Sequence, residues 1–156
     1  MQTRRTPCVG ICSTTYGDLV CRGCKRFAHE IVQWNGYDED QQSIIWSRLN
    51  SLRDEVTLYF LQVSDELAFA KLVEHLSLHE CLRGHQVFEV LRHLVVHSEQ
   101  LAHAGLSMRN PLPKVEGEQA GLPGLDGESL AVMRVVDAEI YARSQAHYEH
   151  CFKVLV

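Results

Sequence analysis

Four of the six cysteines, Cys8, Cys12, Cys21 and Cys24, fall within seventeen residues in the spacing C-x3-C-x8-C-x2-C, and no other feature restricts the fold as strongly. The segment also holds Gly10, Gly17 and Gly23 and a turn-like Tyr16-Gly17-Asp18, which leaves little room for regular structure or a core of its own. It needs a cross-link. The N-terminus runs from Met1-Gln2-Thr3-Arg4-Arg5 into Pro7 and Cys8 with no apolar leader, and no apolar run is long enough to span a bilayer, so a soluble cytoplasmic protein is expected, with no membrane partner. In a reducing compartment four clustered thiols point to metal rather than to disulfides, while Cys81 and Cys151 stand apart.

Thiolate is a soft ligand, and four of them suit either a structural Zn²⁺ or the ligation of an iron–sulfur cluster. Cys21-Arg22-Gly23-Cys24 reads as a knuckle in which Gly23 takes the backbone conformation that turns amides toward sulfur, and the eight-residue insert lets Cys8 and Cys12 swing onto the same ion. Residues 1–35 carry a local charge of +3 from Arg4, Arg5, Arg22, Lys25 and Arg26 against Asp18 and Glu30, whereas the other 121 residues carry −8. Arg22, Lys25 and Arg26 offset the thiolate charge for either metal, and His29 stands close enough in sequence to bond a thiolate or replace one. The basic head leaves RNA binding open as an alternative, but the acidic body argues against wrapping of nucleic acid, and a protein partner is the leading expectation.

The string Thr6-Pro7-Cys8-Val9-Gly10-Ile11-Cys12, then Cys21-Arg22-Gly23-Cys24-Lys25-Arg26, then Glu30-Ile31 and Trp34, resembles the small bacterial DUF1289 family of predicted iron–sulfur proteins over about the first 45 residues. The resemblance implies that Cys8, Cys12, Cys21 and Cys24 are the ligands, that Glu30, Ile31 and Trp34 belong to a helix packed beneath them, and that an iron–sulfur cluster is preferred to zinc.

The rest of the chain has helical periodicity, so the expected fold is mainly α. A small four-cysteine metal-binding loop module at 1–36 is expected to pack on an α-helical domain at 37–156. Phe27, Ile31 and Trp34 predict a short amphipathic helix stopped by Gly36. Ile45, Leu49, Leu52, Val56, Tyr59 and Val63 predict one long helix entered through Asp38-Glu39-Asp40, and its apolar stripe is too short for a coiled-coil seam. Ser64-Asp65 can cap a third helix with Leu67, Ala70, Leu72, Val73 and Leu76 inward, fraying near His79. A fourth follows Gly84, with Val87, Val90, Leu91, Leu94, Val95 and Leu101 inward, and ends at Gly105. Residues 110–127 hold too many Pro and Gly for a helix, and Glu128 to His150 closes the chain as a helix in which Ala131, Ala138, Ala142 and Ala146 permit close packing. Apart from a short hairpin in the head, no strand is expected.

No catalytic residue is assigned. The chain lacks the zinc-protease and di-iron helix motifs, nucleotide-binding glycine loops and a nucleophile elbow. His75/His79 and His93/His97 each share a helix face at i,i+4, and His93 with His97 is the candidate for a second metal site, although solvated histidines are the simpler reading. His147, His150 and Cys151 form a terminal cluster. The expected function is therefore non-enzymatic: a metal-headed sensor or partner-binding module. The alternatives are an electron-transfer component with its second site at His93 and His97, and a zinc-headed adaptor for protein or RNA.

Overall fold

The computed structural model describes residues 6–113 and 127–152; Arg4, Arg5 and most of the Pro/Gly-rich stretch lie outside them. The fold is mainly α, with helices α1 (Ala28–Gln33), α2 (Glu39–Phe60), α3 (Glu66–His75), α4 (Arg83–His97) and α5 (Glu128–Phe152) and strands β1 (Leu61–Val63) and β2 (Leu106–Met108). No described helix is long and apolar enough to cross a membrane. The chain divides into two compact units, Met1–Ser51 with Glu139–Val156, and Leu52–Ala138.

In the first unit the cysteine loops lead into α1, which passes at Trp34–Gly36 into a 3-10 turn, so the stop at Gly36 is as expected. Val20, Phe27, Trp34, Ile45 and Ile140 are buried. The Phe27 ring lies 5.3 Å from Tyr148, 5.4 Å from Phe152 and 5.7 Å from His147, so the last turns of α5 close over the residue that follows the cysteine knuckle. Glu30 accepts the Phe27 amide at 2.8 Å, reaching back across the first turn of α1, and takes the Arg48 guanidinium at 2.8 and 2.6 Å. Arg48 also lies over the Phe27 ring at 4.1 Å.

The second unit departs from the sequence reading in several places. The long helix stops at Phe60, because the Arg109 amide takes the Phe60 carbonyl at 2.7 Å and the Asn110 side chain takes that of Tyr59 at 2.6 Å. Val63 therefore lies in β1, which pairs antiparallel with β2 as Leu61↔Met108, Gln62↔Ser107 and Val63↔Leu106. Tyr59 is exposed and Phe60 is buried in its place. A three-residue strand is too short to show period-two alternation, so these two were missed. The Asp65 cap holds, its Oδ1 accepting the amides of Leu67 and Ala68 at 3.0 and 3.1 Å. The face of α3 is shifted, however: Phe69 and Val73 are buried, whereas Leu67 and Ala70 are exposed.

Val87, Val90, Leu91 and Leu94 of α4 are fully buried, as expected, but the helix ends at Ser98 (φ 55°), and Gly105 instead closes the 3-10 turn Leu101–Ala104. Gly84 lies inside the first turn of α4, where a Cβ would meet that of Asp54 at 2.6 Å. Along α5 the inward positions are Ser129, Val132, Val136, Ile140 and Ser144, and Ala138, Ala142 and Ala146 face solvent. Serine is small enough to serve where alanine was expected, and the Ser144 hydroxyl is satisfied by bonding the Ile140 carbonyl at 2.8 Å.

His85 gives this unit a pH dependence. Its Nδ1 faces Arg53 Nη2 at 2.7 Å, and Arg53 is held by Asp54 at 2.7 Å and stacks over Phe88 at 4.8 Å. Burial, reinforced by the Arg53 charge, lowers the His85 pKa. Below its ordinary value of about 6.5 the unfolded imidazole takes up a proton that the folded one resists, so stability present at neutral pH is lost as pH falls through that value and levels off below the folded pKa. Urea titrations of wild type and His85→Gln from pH 7.5 to 5 are expected to give curves that diverge in the variant's favour as pH drops; parallel curves would contradict this.

Candidate metal centre

The knuckle is a tight hairpin. Val20 and Phe27 form an antiparallel bridge, the Cys21 amide donates to the Arg26 carbonyl at 2.9 Å, and the Lys25 amide donates to the Cys21 carbonyl at 2.9 Å. The left-handed residue that closes the turn is Lys25 (φ 61°). Gly23 serves another end, since a Cβ there would meet Val9 Cγ2 at 2.6 Å and the Ile11 carbonyl oxygen at 3.1 Å. The loop of the first cysteine pair is thus pressed directly on the knuckle of the second. Ser13 Oγ accepts the Arg22 amide at 2.8 Å, and the Cys21 sulfur lies 3.8 Å from the Ile11 carbonyl oxygen.

Each head sulfur has a polar neighbour. Cys8 Sγ accepts the Gly10 amide at 3.4 Å, Cys12 Sγ is hydrogen-bonded to the Thr14 hydroxyl at 2.9 Å, and Cys24 Sγ accepts Arg26 Nε at 3.4 Å. Cys21 is buried, which works against ionisation, but the amides of Cys24, Ser13 and Gly23 and the Cys24 thiol outweigh this and lower its pKa to about 7. Burial raises the Cys24 pKa against the opposing pull of Arg26. Cys-x-Gly occurs twice, at Cys8-Val9-Gly10 and Cys21-Arg22-Gly23; the Gly10 amide bonds the Cys8 sulfur, and the Gly23 amide is among the groups that lower the Cys21 pKa. No such sulfur contact reaches Cys81 or Cys151 among the described residues.

The Cys24 thiol lies close enough to Cys21 to contribute to lowering its pKa. Among the described residues no three His, Cys, Asp or Glu side chains are set around one point as a metal would hold them. The donor set still suits a soft metal: four thiols in two abutting loops, each sulfur with a hydrogen-bonding neighbour.

The cations are largely inside. Lys25 and Arg26 are buried, Lys25 Nζ donating to the Gly23 carbonyl at 3.0 Å and Arg26 lying over Trp34 at 4.8 Å. Arg22 is exposed but pairs with Asp18 at 3.1 Å and lies over Tyr141 at 5.1 Å. The His29 ring sits 5.0 Å from Phe152 and 5.8 Å from Phe27, in the aromatic group under the knuckle. His93 and His97 are adjacent on α4, their ring centroids 4.2 Å apart, and His75 of α3 joins them, which no sequence spacing indicated.

Fold and site together define a mainly helical protein with a cysteine-loop head. The model of the family described as a protein of unknown function, DUF1289, matches residues 6–53, less than a third of the chain, and this is the segment that carries all four head cysteines, α1 and the first two thirds of α2. No characterised protein and no solved structure matches the chain significantly.

Proposed function

We propose that the chain is a non-enzymatic metal-binding protein in which Cys8, Cys12, Cys21 and Cys24 hold an iron–sulfur cluster, and that it acts as a sensor or partner-binding module. The single observation that supports this most is the polar contact from Gly10, Thr14 and Arg26 at the sulfurs of Cys8, Cys12 and Cys24. Structural cysteines that serve only as small hydrophobes have no use for such donors, whereas thiolate ligands are stabilised by them. When bound, a cluster would supply one-electron chemistry or sensitivity to iron and oxygen. Arg26 would offset thiolate charge at Cys24, and Gly23 would let the Cys8–Cys12 loop close on the knuckle. With Lys25 and Arg26 turned inward, little of the described head charge is left for RNA, so a protein partner is the better fit.

The test is elemental analysis and a visible spectrum of protein purified without oxygen, comparing wild type with Cys21→Ser. Iron with acid-labile sulfide and a broad visible absorption in wild type, absent from the variant, is the expected result. One colourless zinc per chain would replace the cluster with a structural ion. Wild type that takes up neither metal would overturn the reading.

A further inference from the structure

We propose that His75, His93 and His97 form a second metal site, within the Leu52–Ala138 unit, that takes a borderline divalent cation of the Zn²⁺, Ni²⁺ or Cu²⁺ class. His93 and His97 are one turn apart on α4, with centroids 4.2 Å apart and ring planes inclined at 47°. His75, the last residue of α3, brings its ring to His93 at 6.0 Å, nearly perpendicular at 73°. Among the described residues none of the three has a hydrogen bond or an ion pair, so three imidazole rings gather on a half-open surface with their acceptor nitrogens uncommitted. Imidazole is the commonest ligand for these cations, an i,i+4 pair on a helix chelates from one face, and a third imidazole from a neighbouring helix leaves a fourth position for water.

As placed, the three rings do not surround a common point. The adjustment needed is rotation about side-chain bonds, which His75 and His97, both exposed, make freely. His93 borders a hollow of about 290 Å³ with Leu76 and Val96, which gives its ring room to turn. Arg92, the nearest cation on the same helix, is drawn aside by Glu89 at 2.5 Å. A bound ion would tie α3 to α4, two helices joined in sequence only through the turn at Leu76–Leu82.

The experiment uses full-length protein labelled with ¹⁵N at histidine, with Zn²⁺ added beyond what the cysteine head takes up, and imidazole resonances assigned through single His→Gln variants. The nitrogens of His75, His93 and His97 are expected to shift together while those of His79 and His103 stay. In calorimetric titration, His93→Gln and His75→Gln are each expected to weaken binding at this site by about a hundredfold, the loss of one chelating arm. Cys21→Ser is expected to leave the three imidazole shifts in place, which separates this site from the head. Absence of those shifts in wild type, shifts spread over all nine histidines, shifts that vanish in Cys21→Ser, or unchanged affinity in His75→Gln would each overturn the assignment.

Discussion

Replacing Glu30 with alanine is expected to destabilise the first unit by about 3 kcal/mol, near the lower end for breaking a buried ion pair because Arg48 keeps some contact with water. The loss has two parts. The mostly buried Arg48 guanidinium is left without its carboxylate, and the Phe27 amide loses its acceptor at the start of α1. Both tryptophans, Trp34 and Trp46, belong to this unit, so fluorescence during urea unfolding reports on it directly. With a denaturant dependence of about 2 kcal/mol per molar, the midpoint should fall by roughly 1.5 M. The double variant Glu30→Met, Arg48→Met should recover most of the loss, since an apolar pair of similar volume bears no stranded charge. A midpoint in Glu30→Ala unchanged from wild type would show that the pair is solvated and carries little.

Gly105→Val is expected to be the most damaging single change in the second unit. Gly105 has φ 65°, a conformation that a β-branched residue resists, and a Cβ there would lie 2.2 Å from the Asp65 carbonyl oxygen, which is backbone and has no rotamer to move. The Gly105 carbonyl also accepts the amides of Ser64 and Asp65 at 2.8 and 3.1 Å, so a shift there pulls on the end of β1 and on the cap of α3 together. Strain and clash together should amount to about 3 kcal/mol or more, or roughly 10 °C in thermal midpoint. Hydrogen exchange gives the sharper readout: the amides of Ser64, Asp65 and Arg109 should lose protection in the variant. Retained protection there would mean that the turn accommodates a side chain by another route.

Much of this architecture was legible in the chain because its causes are local. The buried face of α4 follows from Val87, Val90, Leu91 and Leu94 at helical spacing, the start of α3 from the Asp65 carboxylate and two free amides, and the end of the α1 segment from Gly36. The clustering of the four thiols with their glycines was legible for the same reason, since they sit within one short stretch. The misreadings concern elements whose causes lie far off in the chain. The end of α2 is decided by Arg109 and Asn110, the inward turn of Phe69 rather than Leu67 by what α3 packs on, and the serines of α5 by which face of that helix is covered.

By itself the sequence determined where most helices begin and where four thiols cluster, because capping, periodicity and residue spacing act within a few residues of one another. Only the tertiary structure decided that Glu30 answers Arg48, that the final turns of α5 cover Phe27, and that His75 meets His93. Those contacts join residues far apart in the chain, and such a pairing exists only when packing brings two surfaces together, so no spacing along the chain encodes it.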